Sequence, residues 1–209
     1  RISSHGREMA KLGTHPRLAH MIVRSAAWEL QEQAILLAAL LSERDLLRSS
    51  GSERNVDLRM RLDALHDARS VPVNAQIDMG ARQRIKRTAD QLRRQVALRS
   101  ETGSHSDADV GRLLALAYPD RIAQSRGSGG RYLLANGRGA HLPGGQSLAQ
   151  SEVLVVADLA QQVRHGPGAA ALAEQGGDAG RGLGGDPPDE RGPLEGLAEQ
   201  VLACGVEEV

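Results

Sequence analysis

The 209-residue chain has no phenylalanine, one tryptophan (Trp28), two tyrosines (Tyr118 and Tyr132) and one cysteine (Cys204). So few rings exclude an extended aromatic platform, and any base-stacking surface has to rest on one or two rings or on arginine planes. A lone cysteine excludes a disulfide framework and a thiolate zinc site, which fits a reducing compartment. No apolar run approaches the ~20 residues of a membrane span, and the amino terminus has no signal-peptide pattern. The expectation is a cytoplasmic protein with no membrane partner. Lysine is scarce too, with only Lys11 and Lys86 among the 26 basic residues. The arginines that remain favour planar, bidentate contact with phosphates, and they follow equally well from a GC-rich gene.

Catalytic motifs are also missing. A P-loop needs a glycine-rich turn followed by Lys and a hydroxyl residue, and neither Lys11 (after Ala10) nor Lys86 (after Ile85) stands in one. Gly127 to Gly130 precede a hairpin pattern and Gly166 to Gly168 lie in low-complexity sequence, so both lack the strand and helix that nucleotide loops require. No Gly-x-Ser-x-Gly elbow and no His-Glu-x-x-His pair occurs. His15 and His20 are five apart without a third ligand nearby, and read as a turn residue and a surface residue. The sequence therefore nominates no catalytic residue, no metal site and no cofactor for this chain.

What is present is a charge division. The formal net charge is zero, yet residues 1–160 hold 23 basic and 17 acidic side chains and residues 161–209 hold 3 and 9. A basic body carries an acidic tail. The chain begins with Arg1 directly before helical sequence, which suggests a piece of something longer.

The body is mainly helical in pattern. Met9 and Leu12 suit a short helix closed by Gly13, and Pro16 suits the first turn of the next, continued by Leu18, Met21 and Ile22. From Ser25 to Leu47, Leu30, Ala34, Leu37 and Leu41 form a stripe that Ile35, Leu36 and Leu40 widen to most of the circumference, as in the central helix of a bundle. Arg48 to Asn55 is a polar loop, Asp57 caps a helix with Leu58, Leu62 and Leu65 inward, and Val71-Pro72 breaks it. A long helix from about Asn74 to Arg99 turns Ile77, Ile85, Ala89, Leu92 and Val96 inward. It carries Arg82, Arg84, Lys86, Arg87, Arg93, Arg94 and Arg99 against Asp78 and Asp90. That basic face is either a solvated surface or a phosphate-tracking one. After a loop over Glu101 to Ser106, capped by Ser106 or Asp107, Val110, Leu113, Leu114 and Ala117 repeat at helical spacing until Pro119 stops them.

A strand pattern then begins. Tyr132–Ala135 and Arg138–His141 flank Asn136-Gly137, the signature of a two-residue hairpin turn. Leu142 to Gly145 turn the chain, and Glu152 to Leu159 reads as a buried strand. From residue 160 onward glycine, proline, alanine and acids take over, which cannot offset the entropy of ordering the chain. Only Leu194 to Val206 suits a short amphipathic helix. The change is abrupt in composition, charge and pattern together, as a frameshifted reading of a GC-rich gene would make it.

The runs H-G-R-E-M-A-K-L-G-T-H-P-R-L-A-H-M, A-A-L-L-S-E-R-D-L-L, V-D-L-R-M-R-L-D-A-L and L-L-A-L-A-Y-P-D-R-I-A-Q-S-R-G-S-G-G-R-Y-L-L-A-N-G-R-G-A-H-L, in that order, resemble HrpB-type bacterial DEAH-box ATP-dependent RNA helicases in the region after their RecA-like motor domains. The likeness covers about residues 3–159; Gly13 stands where the family often has proline. It implies a mainly α fold with a small β part: residues 1–24 as the end of a winged-helix unit, 25–118 as a ratchet-like helical bundle, 119–159 as a partial OB-type barrel and 160–209 as a low-complexity tail. It also implies single-stranded RNA and the parent's motor domains as partners, with ATP and magnesium belonging to the full-length parent. Arg121, Arg126, Arg131 and Arg138 then become the expected RNA contacts, with Arg84 and Arg87 on the long helix. Two other readings stay open: an interaction module whose arginine-rich helix docks on an acidic protein, and a fragment without independent function, since a barrel cut after three strands leaves open edges.

Overall fold

A computed structural model of the chain describes residues 1–49, 55–71, 75–96, 107–127, 129–142, 145–161 and 202–208. Gly51, Pro72, Arg99, the loop before Asp107, Pro143-Gly144 and the tail from 162 to 201, with Leu194, lie outside the described residues.

Helix α1 (Ser4–Ala10) is capped by Ser3, whose hydroxyl accepts from Gly6 N at 3.0 Å. Gly13, at φ 55°, then takes the left-handed conformation that a side chain resists, and helix α2 (Pro16–Ser25) begins on its proline with Leu18, Met21 and Ile22 buried. The following helix is not continuous from Ser25. A single turn at Ala26–Trp28 ends on Glu29, whose φ of 59° re-aims the chain, and helix α3 (Gln31–Ser42) starts afresh. Gln33 to Leu40 are all buried, because a helix apolar on every side is stable only at the centre of a bundle.

Leu47–Ser49 (β1) pairs antiparallel with Ala75–Ile77 (β2), two short strands where the sequence suggested a loop and the start of a helix. The long helix therefore begins later. Asp78 accepts from Ala81 N at 3.0 Å and caps helix α5 (Met79–Val96), so residues before it are extended. Between them helix α4 (Leu58–His66) is capped by Asp57 as expected. At its centre Arg61 is buried, donating to Asp45 at 2.9 and 2.8 Å and to Asp57 O at 3.0 Å. Helix α5 turns Ile85, Ala89 and Leu92 onto α3, and helix α6 (Asp107–Ala117) buries Val110, Leu113, Leu114 and Ala117 against α2 and α3.

Beyond a turn at Pro119–Arg121 a small sheet curls into a barrel: β3 (Ile122–Ser125), β4 (Arg131–Leu134), β5 (Gly139–His141), β6 (Val153–Gln161) and β7 (Leu202–Glu208) in the order β3-β4-β5-β7-β6. Pairs are antiparallel except β6 with β7. This corrects two expectations. Residues 202–206, the end of the helix expected from Leu194 to Val206, lie instead in the strand Leu202–Glu208, and that strand closes the sheet where open edges were expected. Backbone pairing along β6 supplies hydrogen bonds that no side-chain pattern in the tail announces.

Strand β6 joins the two parts. Leu154 and Val156 point into the barrel core with Ala123, Tyr132, Leu134, Ala140, Leu142 and Leu148, while Val155 and Ala157 belong to the helical core. With both faces covered, its sequence reads as a continuous apolar run rather than an alternation.

Candidate nucleic-acid interface

The hairpin of β3 and β4 fixes where the arginines stand. Strand alternation sends Ala123, Tyr132 and Leu134 inward and Gln124, Arg131 and Leu133 outward. Across the sheet Arg126 N donates to Arg131 O at 2.8 Å, and Arg131 is the cross-strand partner of His141. Cross-strand partners share a face, so Arg131 and His141 stand side by side, and Arg126, one residue past the end of β3, is brought next to them by its hydrogen bond to Arg131. A second row, Gln124, Leu133 and Gly139, lies two residues away along β4. Leu133 is 38% exposed, and Gly139 beside it adds no side chain, so the patch is a shallow apolar shelf under a basic edge. Such an arrangement offers guanidinium donors to an anion and an apolar surface to a flat group next to it.

Six arginines were singled out by sequence, and they stand in three places. Arg126 and Arg131 are adjacent and exposed. Arg121 and Arg138 lie at the other end of the hairpin, about 13 Å away across the four residues of β3. Arg138 is exposed in the turn, its N–H donating to Asn136 Oδ1 at 3.1 Å. Arg121 is folded back, its Nη1 donating to Ala157 O at 2.7 Å and its guanidinium 5.1 Å from the Tyr118 ring centre. Arg84 and Arg87 are on α5, both exposed, with Arg84 Nε 3.6 Å from Glu43 Oε2.

The turn between β4 and β5 differs from a two-residue Asn-Gly type. Gly137 has φ 84°, Asn136 does not share a positive φ, and Leu134 N donates to Arg138 O at 2.9 Å. That is a three-residue loop with a glycine bulge, whose extra residue shifts Arg138 out of the β5 ladder. Sequence reasoning missed Gln124, Leu133, Gly139 and His141. The alternation of R-Y-L-L could have placed Leu133 beside Arg131, but His141 needs the register, which the bulge sets.

All three aromatic rings are occupied elsewhere. Tyr132 is buried, its hydroxyl 3.1 Å from Leu148 O and 3.0 Å from Ser151 O, and burial pushes its pKa upward. Tyr118 lies under the guanidinium groups of Arg17 (5.5 Å) and Arg121, and Trp28 under that of Arg112 (4.6 Å). Stacking on the barrel surface is left to arginine planes and Leu133. The two histidines weighed as ligands are likewise spoken for. His15 caps α2 through Nδ1, 3.3 Å from Arg17 N, while His20 faces His5 across α1 and α2, with Nδ1 and Nε2 2.9 Å apart. No group of three or more potential metal ligands is found among the described residues, and no described helix is long and apolar enough to cross a membrane.

No family model matches the chain. It is 32% identical over 164 residues to the ATP-dependent RNA helicase HrpB of Escherichia coli K12, a match covering 77% of this chain and 17% of that protein. Two crystal structures are similar in fold. One, of the E. coli DExH-box NTPase HrpB, matches with a TM-score of 0.53 over 73% of this chain and 16% of its own length; the other, of the E. coli DEAH/RHA helicase HrpB, with 0.57 over 75% and 17%, both at 32% identity. The matched region is thus about one sixth of those proteins.

Proposed function

Because the chain belongs with the carboxy-terminal region of HrpB-type DEAH helicases, we propose that it is an accessory region of an ATP-dependent RNA helicase. In this reading it holds single-stranded RNA while RecA-like motor domains outside this sequence use ATP and magnesium to unwind it. Residues 1–24 then finish a winged-helix unit, 25–118 make the ratchet-like bundle, and the barrel from residue 119 is of the OB type. The observation that carries the reading is the row Arg126, Arg131 and His141 beside the Leu133 shelf. Phosphates are drawn to the row and a base packs on the shelf, without reading sequence.

A second reading uses α5. Arg87 and Arg94 are exposed on the side away from the core, which suits docking on an acidic protein surface. Titrating the chain with fluorescein-labelled oligouridine over a range of salt separates the two. RNA binding predicts an affinity that falls linearly with salt on logarithmic axes, and absence of salt-sensitive binding rejects it.

A further inference from the structure

Strand β7 brings acid to the basic edge of the barrel. Residues 122–161, which carry strands β3 to β6, hold Arg126, Arg131 and Arg138 against Glu152 and Asp158, a formal charge of +1 with histidine neutral. Strand β7 adds Glu207 and Glu208 and no base, which turns the closed barrel to −1. Where those two acids stand decides what they do.

The register separates them. Glu208 is the partner of Ala140, which is buried in the barrel core, and Glu207 is the partner of His141. Cross-strand partners share a face, so Glu207 belongs to the outer face with His141 and, one strand further, Arg131. Neighbouring strands lie about 5 Å apart, so the acid stands within about one screening length of both, ~10 Å at about 0.1 M salt. Carboxylates and phosphates accept from the same donors, and like charges brought to one patch repel. Backbone pairing keeps the acid there, because β7 runs parallel to β6 with partners from Val155 to Gln161.

We propose that β7 restrains RNA binding at the barrel, Glu207 acting as a built-in competitor of the RNA phosphate beside Arg131 and His141. The inference rests on the RNA-binding reading of the barrel given above and adds its regulation: the chain carries its own negative charge at the place where the phosphate is drawn in.

Titration of the full chain with fluorescein-labelled oligouridine at about 50 and about 500 mM salt tests it, with Glu207→Gln set beside Asp63→Asn. Asp63 is exposed on α4, and its variant changes the net charge by the same amount away from the barrel strands. Glu207→Gln should bind about two- to fivefold more tightly than the unaltered chain at the lower salt, with its circular dichroism unchanged. At the higher salt the two should bind alike, since screening then acts within ~4 Å. Asp63→Asn should match the unaltered chain throughout. Salt-sensitive binding of equal strength in Glu207→Gln and the unaltered chain overturns the competitor and leaves RNA binding standing. A gain shared by Asp63→Asn overturns it as well, because net charge alone then suffices. Absence of salt-sensitive binding in all three chains rejects RNA binding itself, and the competitor falls with it.

Discussion

Arg17 and Asp120, 103 residues apart in sequence, form a two-pronged ion pair, with Nη2 3.1 Å from Oδ2 and Nη1 on Oδ1. Nη1 of Arg17 also donates to Ala117 O at 3.2 Å, and its guanidinium lies over Tyr118, which Arg121 covers as well. Helix α2 is thereby fixed to the joint between the last helix and the first barrel strand, and Arg121 carries the contact on to Ala157 of β6.

This joint should respond to acid. The hydrogen bond from Arg17 holds the Asp120 carboxyl below its ordinary pKa, so the folded state binds its proton less readily than the unfolded chain. The pair's stabilisation is complete above the ordinary carboxylate range and is lost as pH falls through the lowered value. Both side chains are more than a third exposed, which limits the effect to about 1 kcal/mol at neutral pH. Urea unfolding of Arg17→Met should show that loss at pH 7 and a shallower acid dependence between pH 5 and 3; an unchanged slope would count against the pair.

The two ends of the β3–β4 hairpin should behave differently toward RNA. Arg126→Gln and Arg131→Gln are each expected to reduce the salt slope of oligouridine binding by about one unit. Arg121→Gln should leave that slope unchanged and lower the melting temperature, because its guanidinium is spent on Ala157 O and Tyr118. Equal effects of all three on the slope would mean that Arg121 turns outward when RNA binds.

Two glycines with positive φ separate strain from collision. Gly137 has open space around it, so Gly137→Ala should cost only the backbone strain, about 1 kcal/mol. A Cβ on Gly130 would lie 2.2 Å from Leu142 O, inside the pairing that brings β4 to β5. Gly130→Ala should therefore cost about 3 kcal/mol or more and disturb the barrel, measurable by denaturant unfolding and by loss of amide protection in β4 and β5.

The contact of His5 with His20 needs a neutral ring to accept the shared proton. Burial lowers the His20 pKa, with His5 and Arg24 adding to the effect. A lowered value in the folded state means that stability is present above about pH 6.5 and declines as pH falls toward the folded pKa. His20→Gln should flatten that decline, as followed by thermal unfolding between pH 7.5 and 5.

The helical half is legible in the sequence because its elements state themselves locally. Pro16, Asp57 and Pro119 mark helix ends, and the stripe of Val110, Leu113, Leu114 and Ala117 is the one that is buried. Apolar spacing alone misled where a strand is as short as β2, since three residues are too few to show a period and Ile77 fits a helical stripe as well as a strand. The cap at Asp78 carried the better signal.

The basic stretch was legible in kind and not in arrangement. A basic, arginine-rich stretch from Val110 to His141 is a property of composition, fixed before any folding. Which arginines stand together depends on register and on one bulge at Gly137, and these follow from backbone hydrogen bonds between residues distant in the chain. Those bonds set Arg126 and Arg131 beside His141, turned Arg121 inward onto β6, and drew residues 202–208 into the sheet. Residue type by itself determined that this sequence forms a buried helical core, carries an arginine-rich stretch and contains no P-loop motif. Only tertiary structure decided which charges share a face, because a side chain's neighbours across a sheet are chosen by pairing and not by sequence distance.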